Sequence, residues 1–145
     1  MTSPGEPAEI LLVEDNPDDV ELTIDAFREC GSPHRIHVVE NGVDALAFLR
    51  REGDHGCAPT PDLVLLDLNL PKQSGYEVLE AIRRDPALGR IPVVILTSSA
   101  ADSDMQRSVE LQANGYVTKP LDLDDYLRVV RAVDWFCRNA QAAHG

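Results

Sequence analysis

The sequence predicts an α/β fold, a doubly wound parallel sheet of five strands with helices on both faces. Short apolar runs alternate with stretches of helical periodicity, and this βα unit recurs five times along the 145 residues. Most of the runs are continuously apolar, which is typical of strands buried on both faces of a parallel sheet. Right-handed crossovers between such strands place the helices in two layers, so a three-layer sandwich is expected.

Strand and helix boundaries follow from capping residues, prolines and glycines. Asn16 is a candidate N-cap with Pro17 at the first helical position, and Gly31 ends the same helix. The five strands are expected at Glu9–Glu14, Arg35–Glu40, from Leu63 to Asp67, Val93–Leu96 and Tyr116–Thr118. The helices are expected from Pro17 to about Cys30, Val43 to about Arg51, Tyr76–Arg84, Ala100–Gln112 and Asp122 to about Arg138.

The last two helices differ in their apolar content. The helix over Ala100–Gln112 is polar for a packed helix, so we expect it to be the least tightly docked and the most able to shift. Its apolar residues are Met105, Val109 and Leu111. The helix over Asp122–Arg138 is apolar beyond the face that one sheet requires, which suggests a partner surface.

The length fits one domain that buries a core without disulfides or metal staples. Residues 1–7 contain two prolines and a glycine but no apolar cluster, so a disordered lead-in is expected there. The folded domain is expected over residues 8–138, with a polar tail over 139–145 and no output domain.

Composition excludes several classes of partner. The formal net charge of -12 leaves no basic footprint for nucleic acid or an anionic membrane, whereas a positively charged protein surface fits. Three widely spaced cysteines indicate neither a disulfide framework nor a zinc site. Neither a membrane-spanning run nor a signal peptide is recognisable. A soluble, cytoplasmic protein is therefore expected.

Charged and hydroxyl side chains follow the apolar runs at their carboxyl ends. They are Glu14, Asp15, Asp67, Thr97 and Lys119. In an open parallel sheet these ends lie along one edge, where ligands bind at the point of strand-order reversal. Any one of these acids alone would be explained as a helix cap or a solvated group, but the five residues together indicate a functional site.

These residue types favour phosphoryl transfer. Repulsion among three carboxylates is relieved by a hard divalent cation with oxygen ligands, for which Mg²⁺ is the natural choice. Asp67 beside that cation is a candidate nucleophile that forms an acyl phosphate. The cation, the Lys119 ammonium and the Thr97 hydroxyl can each take one phosphoryl oxygen. Because phosphoryl transfer depends chiefly on positioning and charge stabilisation, this small set is chemically sufficient.

Four stretches resemble the receiver domain of two-component response regulators. They are Leu-Leu-Val-Glu-Asp-Asn-Pro-Asp-Asp (11–19), Leu-Leu-Asp-Leu-Asn-Leu-Pro (65–71) with Gly75, Thr97-Ser98-Ser99, and Tyr-Val-Thr-Lys-Pro (116–120). Their order and spacing match, and the resemblance covers nearly the whole chain. It implies a flavodoxin-like fold with strand order 2-1-3-4-5.

The resemblance also implies a role for each site residue. Asp67 would accept a phosphoryl group from a sensor histidine kinase, in a signalling protein that assists its own phosphorylation and dephosphorylation rather than an enzyme. The implied ligands of Mg²⁺ are Asp15, Asp67 and the backbone carbonyl of Asn69, with Glu14 acting through water. A cis peptide before Pro120 would aim Lys119 at the phosphoryl group.

Switching is implied by the same resemblance. Thr97 would move toward the phosphoryl oxygens and Tyr116 would rotate inward, so that the fourth helix, fifth strand and fifth helix change as an output face. Residues 13–23 and 126–136 look like the stand-alone regulators of bacterial phytochrome-type histidine kinases, a subgroup that dimerises through this face. The side chains assigned to that interface are Tyr126, Trp135 and Phe136.

Two other readings compete with a phosphorylated receiver. A phosphohydrolase of the haloacid dehalogenase type also uses a strand-end Asp, a Thr or Ser, a Lys and Mg²⁺. It requires a second Asp two residues after the nucleophile as general acid, and this chain has Asn69 there. A degenerate receiver that only binds partners is disfavoured because the phosphoryl-binding residues are all present.

Overall fold

The computed structural model describes residues 8–31, 34–70, 73–98, 101–120 and 122–144, the last nine of these as backbone only. Five strands alternate with five α-helices in this part of the chain, and a single 3-10 turn covers Gly53–His55. The elements are β1 Glu9–Val13, α1 Pro17–Glu29, β2 Arg35–Val39, α2 Gly42–Arg50, β3 Leu63–Leu66, α3 Gly75–Arg84, β4 Val93–Thr97, α4 Asp102–Glu110, β5 Gly115–Thr118 and α5 Leu123–His144.

The five strands form one sheet in the order β2-β1-β3-β4-β5, and every neighbouring pair is parallel. The fold class and the strand order predicted from the sequence are therefore confirmed. Val13 at the end of β1 is in register with Leu66 at the end of β3. The residues that follow these two strands consequently leave the sheet at the same edge, at the point where the strand order reverses.

Two hydrophobic clusters fill the space on either side of the sheet. Along β1, Leu11 and Val13 belong to the cluster under α2 and α3, whereas Ile10 and Leu12 belong to the cluster under α1 and α5. Successive strand residues point to opposite faces, so each central strand supplies both clusters. All four residues of β3 are buried. The sheet is thus covered on both faces, as its continuous apolar runs predicted.

The helix caps agree with the sequence at the start of α1 and differ at the end of α5. Asn16 is the N-cap of α1, and its side chain accepts a hydrogen bond from the Asp18 backbone N–H at 2.9 Å. Helix α5 continues to His144, past the predicted end near Arg138. Residues 139–144 contain three alanines and neither glycine nor proline, so nothing in their sequence ends the helix before Gly145.

Helix α4 is docked by few side chains. Ser108 is its one buried residue, and the Val109 side chain is 68% exposed. This agrees with the expectation of a weakly held helix. No helix in the described ranges combines the length and apolarity needed to cross a bilayer.

The interface predicted on α5 is partly wrong. Tyr126 is fully buried in the cluster under α1 and α5, together with Val130 and Val133. It lies at the i position of an i, i+4, i+7 stripe that faces the sheet, so it cannot contact a partner. Trp135 is 66% exposed and stays a candidate for that interface. The Phe136 side chain and residues 1–7 lie outside the described part of the chain.

Candidate functional site

Two strand ends bring three carboxylates together. Glu14 and Asp15 follow β1, and Asp67 follows β3. The Asp67 backbone N–H donates to the Val13 carbonyl at 3.1 Å, which continues the strand pairing by one residue and fixes both loops. Each of the three side chains offers an oxygen, and these oxygens lie within 4.8 Å of one another. Glu14 and Asp67 are buried, and Asp15 is exposed toward solvent.

Lys119 supplies the cation that faces these acids. Its backbone N–H donates to the Thr97 carbonyl at 2.6 Å, which ties the residue after β5 to the end of β4. The ammonium group contacts three carboxylates, and the side chain is 10% exposed. The distances from Nζ are 2.5 Å to Glu14 Oε1, 3.0 Å to Asp19 Oδ2 and 3.1 Å to Asp67 Oδ2.

The pKa values of Lys119 and Glu14 reflect this crowding. Burial alone would lower the pKa of Lys119, but the hydrogen bonds to Glu14 and Asp19, together with the neighbouring negative charges, raise it above its ordinary value. Burial raises the pKa of Glu14 from 4.5 to about 7, an effect that Asp67 increases and Lys119 opposes. Lys119 therefore stays charged, whereas Glu14 titrates near neutral pH.

A pH dependence of stability follows for the metal-free protein. Between pH 4.5 and about 7, folded Glu14 retains a proton that the unfolded chain has released. The free energy of unfolding therefore falls as the pH rises through this window, and the stabilising contribution of the protonated carboxyl is fully present only below pH 4.5. Glu14→Gln lacks this titrating group. We therefore expect the difference in unfolding free energy, wild type minus Glu14→Gln, to fall by about 3 kcal/mol between pH 4.5 and about 7.

Urea unfolding in the presence of a chelator, at a series of pH values, measures this difference. Glu21→Gln is the matched control, because Glu21 is exposed on α1 and its side chain makes no ion pair within the described residues. A difference between wild type and Glu14→Gln that does not change with pH would contradict the prediction.

The loop after β3 is folded tightly against Asp67. The Asn69 backbone N–H donates to Asp67 Oδ1 at 3.1 Å, and the Gly75 N–H donates to the Leu68 carbonyl at 3.0 Å. A Cβ placed on Gly75 would lie 2.7 Å from the Leu68 Cα and closer still to the Asp67 carbonyl oxygen. Gly75 is therefore required by this close approach. The role of the Asn69 carbonyl as a metal ligand stays a prediction.

The two residues expected to switch lie on neighbouring strands. Thr97 is buried at the end of β4, in register with Thr118 of β5. Tyr116 is half-buried on β5 and packs against the cluster under α2 and α3. This is consistent with a half-buried strand aromatic, and movement of both side chains stays a prediction.

The cis peptide expected before Pro120 is wrong. The described part of the chain contains no cis peptide bond, the one joining Lys119 to Pro120 included. The trans form is the favoured state of an X-Pro bond by about 0.5–1 kcal/mol. The flexible four-carbon side chain of Lys119 reaches the carboxylates with that bond trans, as the 3.1 Å contact to Asp67 shows.

Two contacts, one at the site and one between α3 and α4, were not predicted from the sequence. Asp19 was explained as a first-turn acid of α1, yet its carboxylate pairs with Lys119. Its place in the first turn of α1, the helix that follows Glu14 and Asp15, could have placed it near the site. Tyr76 on α3 donates from its hydroxyl to the Asp104 carboxylate of α4, and the Arg107 guanidinium lies 4.3 Å from the centre of its ring. No local pattern pairs residues on two separate helices.

The described residues fit a hard divalent cation. The cluster offers only carboxylate oxygens, which suit Mg²⁺ or Mn²⁺ rather than a metal that prefers sulfur or imidazole. Among the described residues, one ammonium group pairs with Glu14, Asp19 and Asp67, and Asp15 adds a fourth carboxylate to the cluster, so negative charge remains in excess when all are ionised. A divalent cation would offset most of that excess.

Comparisons with known proteins agree with this geometry. Residues 10–131 match the family model described as the response regulator receiver domain. The response regulator Rcp1 of Synechocystis sp. is 42% identical over 130 residues, which cover 90% of this chain and 88% of Rcp1.

Solved structures extend the similarity to the fold. The phosphorylated cyanobacterial phytochrome response regulator RcpA is 43% identical with a TM-score of 0.83, over 90% of this chain and 93% of RcpA. The Mn²⁺-bound form of Rcp1 is 42% identical with a TM-score of 0.81, over 90% of this chain and 94% of that structure. The chain is thus similar in fold and sequence to one protein solved in its phosphorylated form and to another solved with bound Mn²⁺.

Proposed function

The chain belongs to the response regulator receiver domain family, and from this premise we propose that Asp67 accepts a phosphoryl group from a sensor histidine kinase in the presence of Mg²⁺. The observation that carries the proposal is the position of Asp67. Its carboxylate is buried at the sheet edge, shares an acidic cluster with Glu14 and Asp15, and lies 3.1 Å from the Lys119 ammonium. The phosphohydrolase alternative has no support among the comparisons.

Each residue has a defined task in the transfer. One carboxylate oxygen of Asp67 attacks phosphorus, the bond from phosphorus to the donor breaks, and the donor leaves with the electron pair of that bond. Lys119 then pairs with one phosphoryl oxygen, and the Thr97 hydroxyl donates to another. A divalent cation bound by Asp15, Asp67 and the Asn69 carbonyl, with Glu14 through water, would neutralise charge on a further oxygen.

Output is proposed to pass through α4, β5 and α5. Thr97 and Tyr116 lie on the two strands that join the site to this face. The exposed side chains of Met105, Val109 and Trp135 give the face apolar area for a second copy of the chain. RcpA, which is 43% identical to this chain, is named as a phytochrome response regulator, and this supports a phytochrome-type kinase as the upstream partner.

The protein is proposed to act in the cytoplasm as a phosphoacceptor that assists its own phosphorylation and dephosphorylation. Asp67 is consumed and regenerated in this cycle, so the aspartyl phosphate is a signalling state and not an intermediate on the way to a released product. Position 69 carries Asn and not Asp, which supports this proposal, because a phosphohydrolase of the haloacid dehalogenase type needs a proton donor there.

Intact mass and oligomeric state test the proposal. We expect acetyl phosphate with Mg²⁺ to add one phosphoryl group and to increase association, and a chelator to prevent both changes. Light scattering coupled to size-exclusion chromatography measures association on the same samples. No adduct, together with steady release of phosphate from small phosphate esters, would overturn the proposal in favour of a hydrolase. Parallel transfer assays with phytochrome-type and other histidine kinases test the upstream partner.

A further inference from the structure

Two adjacent acids in the first turn of α1 have different environments. Asp18 is exposed and its side chain makes no ion pair within the described residues. Asp19 is 28% exposed, and its Oδ2 lies 3.0 Å from Lys119 Nζ across 100 positions of the sequence. Both residues sit at the helix N-terminus, where a negative charge is favourable in any case. That general effect therefore does not explain why one of them contacts Lys119.

The contact joins two backbones that are held in place. The Asp19 N–H donates to Asn16 Oδ1 at 3.4 Å, and the Asp19 carbonyl accepts from Thr23 Oγ1 at 2.7 Å. On the other side, the Lys119 N–H is tied to the Thr97 carbonyl. Asp19 and Lys119 therefore need to order only their side chains, which reduces the entropic cost of the pair.

The three carboxylate partners of Lys119 are not equivalent toward a cation. Glu14 and Asp67 belong, with Asp15, to the group whose oxygens are near enough to share one ion, and Asp19 is not in that group. A bound cation and the Lys119 ammonium compete for the oxygens of Glu14 and Asp67. Asp19 is then the partner that the ammonium keeps.

We propose that Asp19 is a positioning residue that holds the Lys119 ammonium at the mouth of the site when a divalent cation occupies the oxygens of Glu14 and Asp67. Without Asp19, the ammonium either stays with those oxygens and opposes the cation or leaves for water. Asp19 thus keeps Lys119 ready for the phosphoryl oxygen. The inference rests on the proposed metal-dependent phosphorylation of Asp67 and deepens it.

The first test follows Lys119 directly. The chain has two lysines, Lys72 and Lys119, so a protein labelled with ¹⁵N-lysine has two ammonium signals, and Lys72→Arg assigns them. With saturating Mg²⁺ the Lys119 signal is expected to stay protected from exchange with water in the wild type and in Asp18→Asn. In Asp19→Asn the Lys119 signal is expected to broaden beyond detection, because its ammonium protons then exchange rapidly with water.

The second test measures Mg²⁺ affinity by calorimetry. Asp19→Asn is expected to weaken binding about fivefold more than Asp18→Asn, the change that loss of one partly exposed ion pair produces. In a Lys119→Met background the two Asn variants are expected to behave alike, because Asp19 acts through Lys119. Asp19→Glu, which keeps the carboxylate, is expected to restore part of the affinity. The rate of phosphorylation by acetyl phosphate is expected to follow the same order.

Three results would overturn the inference, and they separate it from the proposed function. If the wild type binds Mg²⁺ but Asp18→Asn and Asp19→Asn show the same Lys119 signal and the same Mg²⁺ affinity, the role of Asp19 is overturned and the proposed function is not. If Asp19→Asn still weakens Mg²⁺ binding more than Asp18→Asn in the Lys119→Met background, Asp19 acts on the cation directly through its charge. That result also overturns the inference. A wild type that binds no Mg²⁺ overturns the proposed metal site and this inference together.

Discussion

Asp67→Asn is expected to abolish phosphoryl uptake from acetyl phosphate and, in the metal-free protein above about pH 7, to raise the free energy of unfolding by about 1–2 kcal/mol. The amide is a poor nucleophile, and no other carboxylate lies at the end of β3. Stability rises because Asp67 shares a buried, net negative site with Glu14, whose pKa it helps to raise. Removing one of these charges relieves repulsion that Lys119 offsets only in part.

Intact mass measures phosphoryl uptake, and urea unfolding in the presence of a chelator measures the free energy of unfolding. Asp18→Asn makes the same charge change at an exposed position and is expected to leave both quantities near their wild-type values. Saturating Mg²⁺ should remove the stability advantage of Asp67→Asn, because only the wild type keeps the full set of ligands. Phosphoryl uptake by Asp67→Asn would show that another residue is the acceptor.

Gly75→Ala is expected to destabilise the protein by about 3 kcal/mol and to slow phosphorylation of Asp67. The added methyl group would overlap the Asp67 carbonyl oxygen and lie 2.7 Å from the Leu68 Cα. Both are backbone atoms of the loop that carries the phosphoacceptor, so relief of the overlap requires that loop to move. A flexible side chain could have yielded at lower cost.

Gly56→Ala is the matched control for this substitution. Gly56 has φ near -57°, and the nearest atom to its added Cβ is the Gly53 carbonyl oxygen at 3.7 Å. We expect a change within about 0.5 kcal/mol there. Chemical unfolding of both variants, with the phosphorylation rate measured beside it, tests the pair. Equal stability of the two variants would show that the loop after β3 has room that its geometry does not indicate.

The strands and the meeting of their polar ends were predictable because both depend on local sequence and one topological rule. A continuous apolar run such as Leu63–Leu66 fits few structures other than a buried parallel strand. Once the strands are parallel, the residues after β1, β3 and β5 reach one edge wherever the helices pack. Glu14, Asp67 and Lys119 come together for this reason.

Two of the errors arose where an element has more than one neighbour. Tyr126 was assigned to a partner surface through the resemblance to regulators that dimerise, although it lies on the apolar stripe of α5. Helix α5 packs against both the sheet and α1, so this stripe is buried within the domain, whereas Trp135 is 66% exposed. Asp19 was overlooked because helix capping already explained an acid at that position. A contact with Lys119, 100 positions away, leaves no trace in local spacing.

The unequal docking of α4 and α5 affects how this protein can evolve. Substitutions at exposed α4 positions such as Met105 and Val109 remove little packing, so most should change stability by less than about 0.5 kcal/mol. Substitutions of Tyr126 or Val130 on α5 would leave cavities and cost about 2–5 kcal/mol. Substitutions on α4 can therefore accumulate with little loss of stability, whereas substitutions on the buried stripe of α5 strongly destabilise the fold. A lineage could acquire a new partner through α4 while the core under α5 keeps the fold intact.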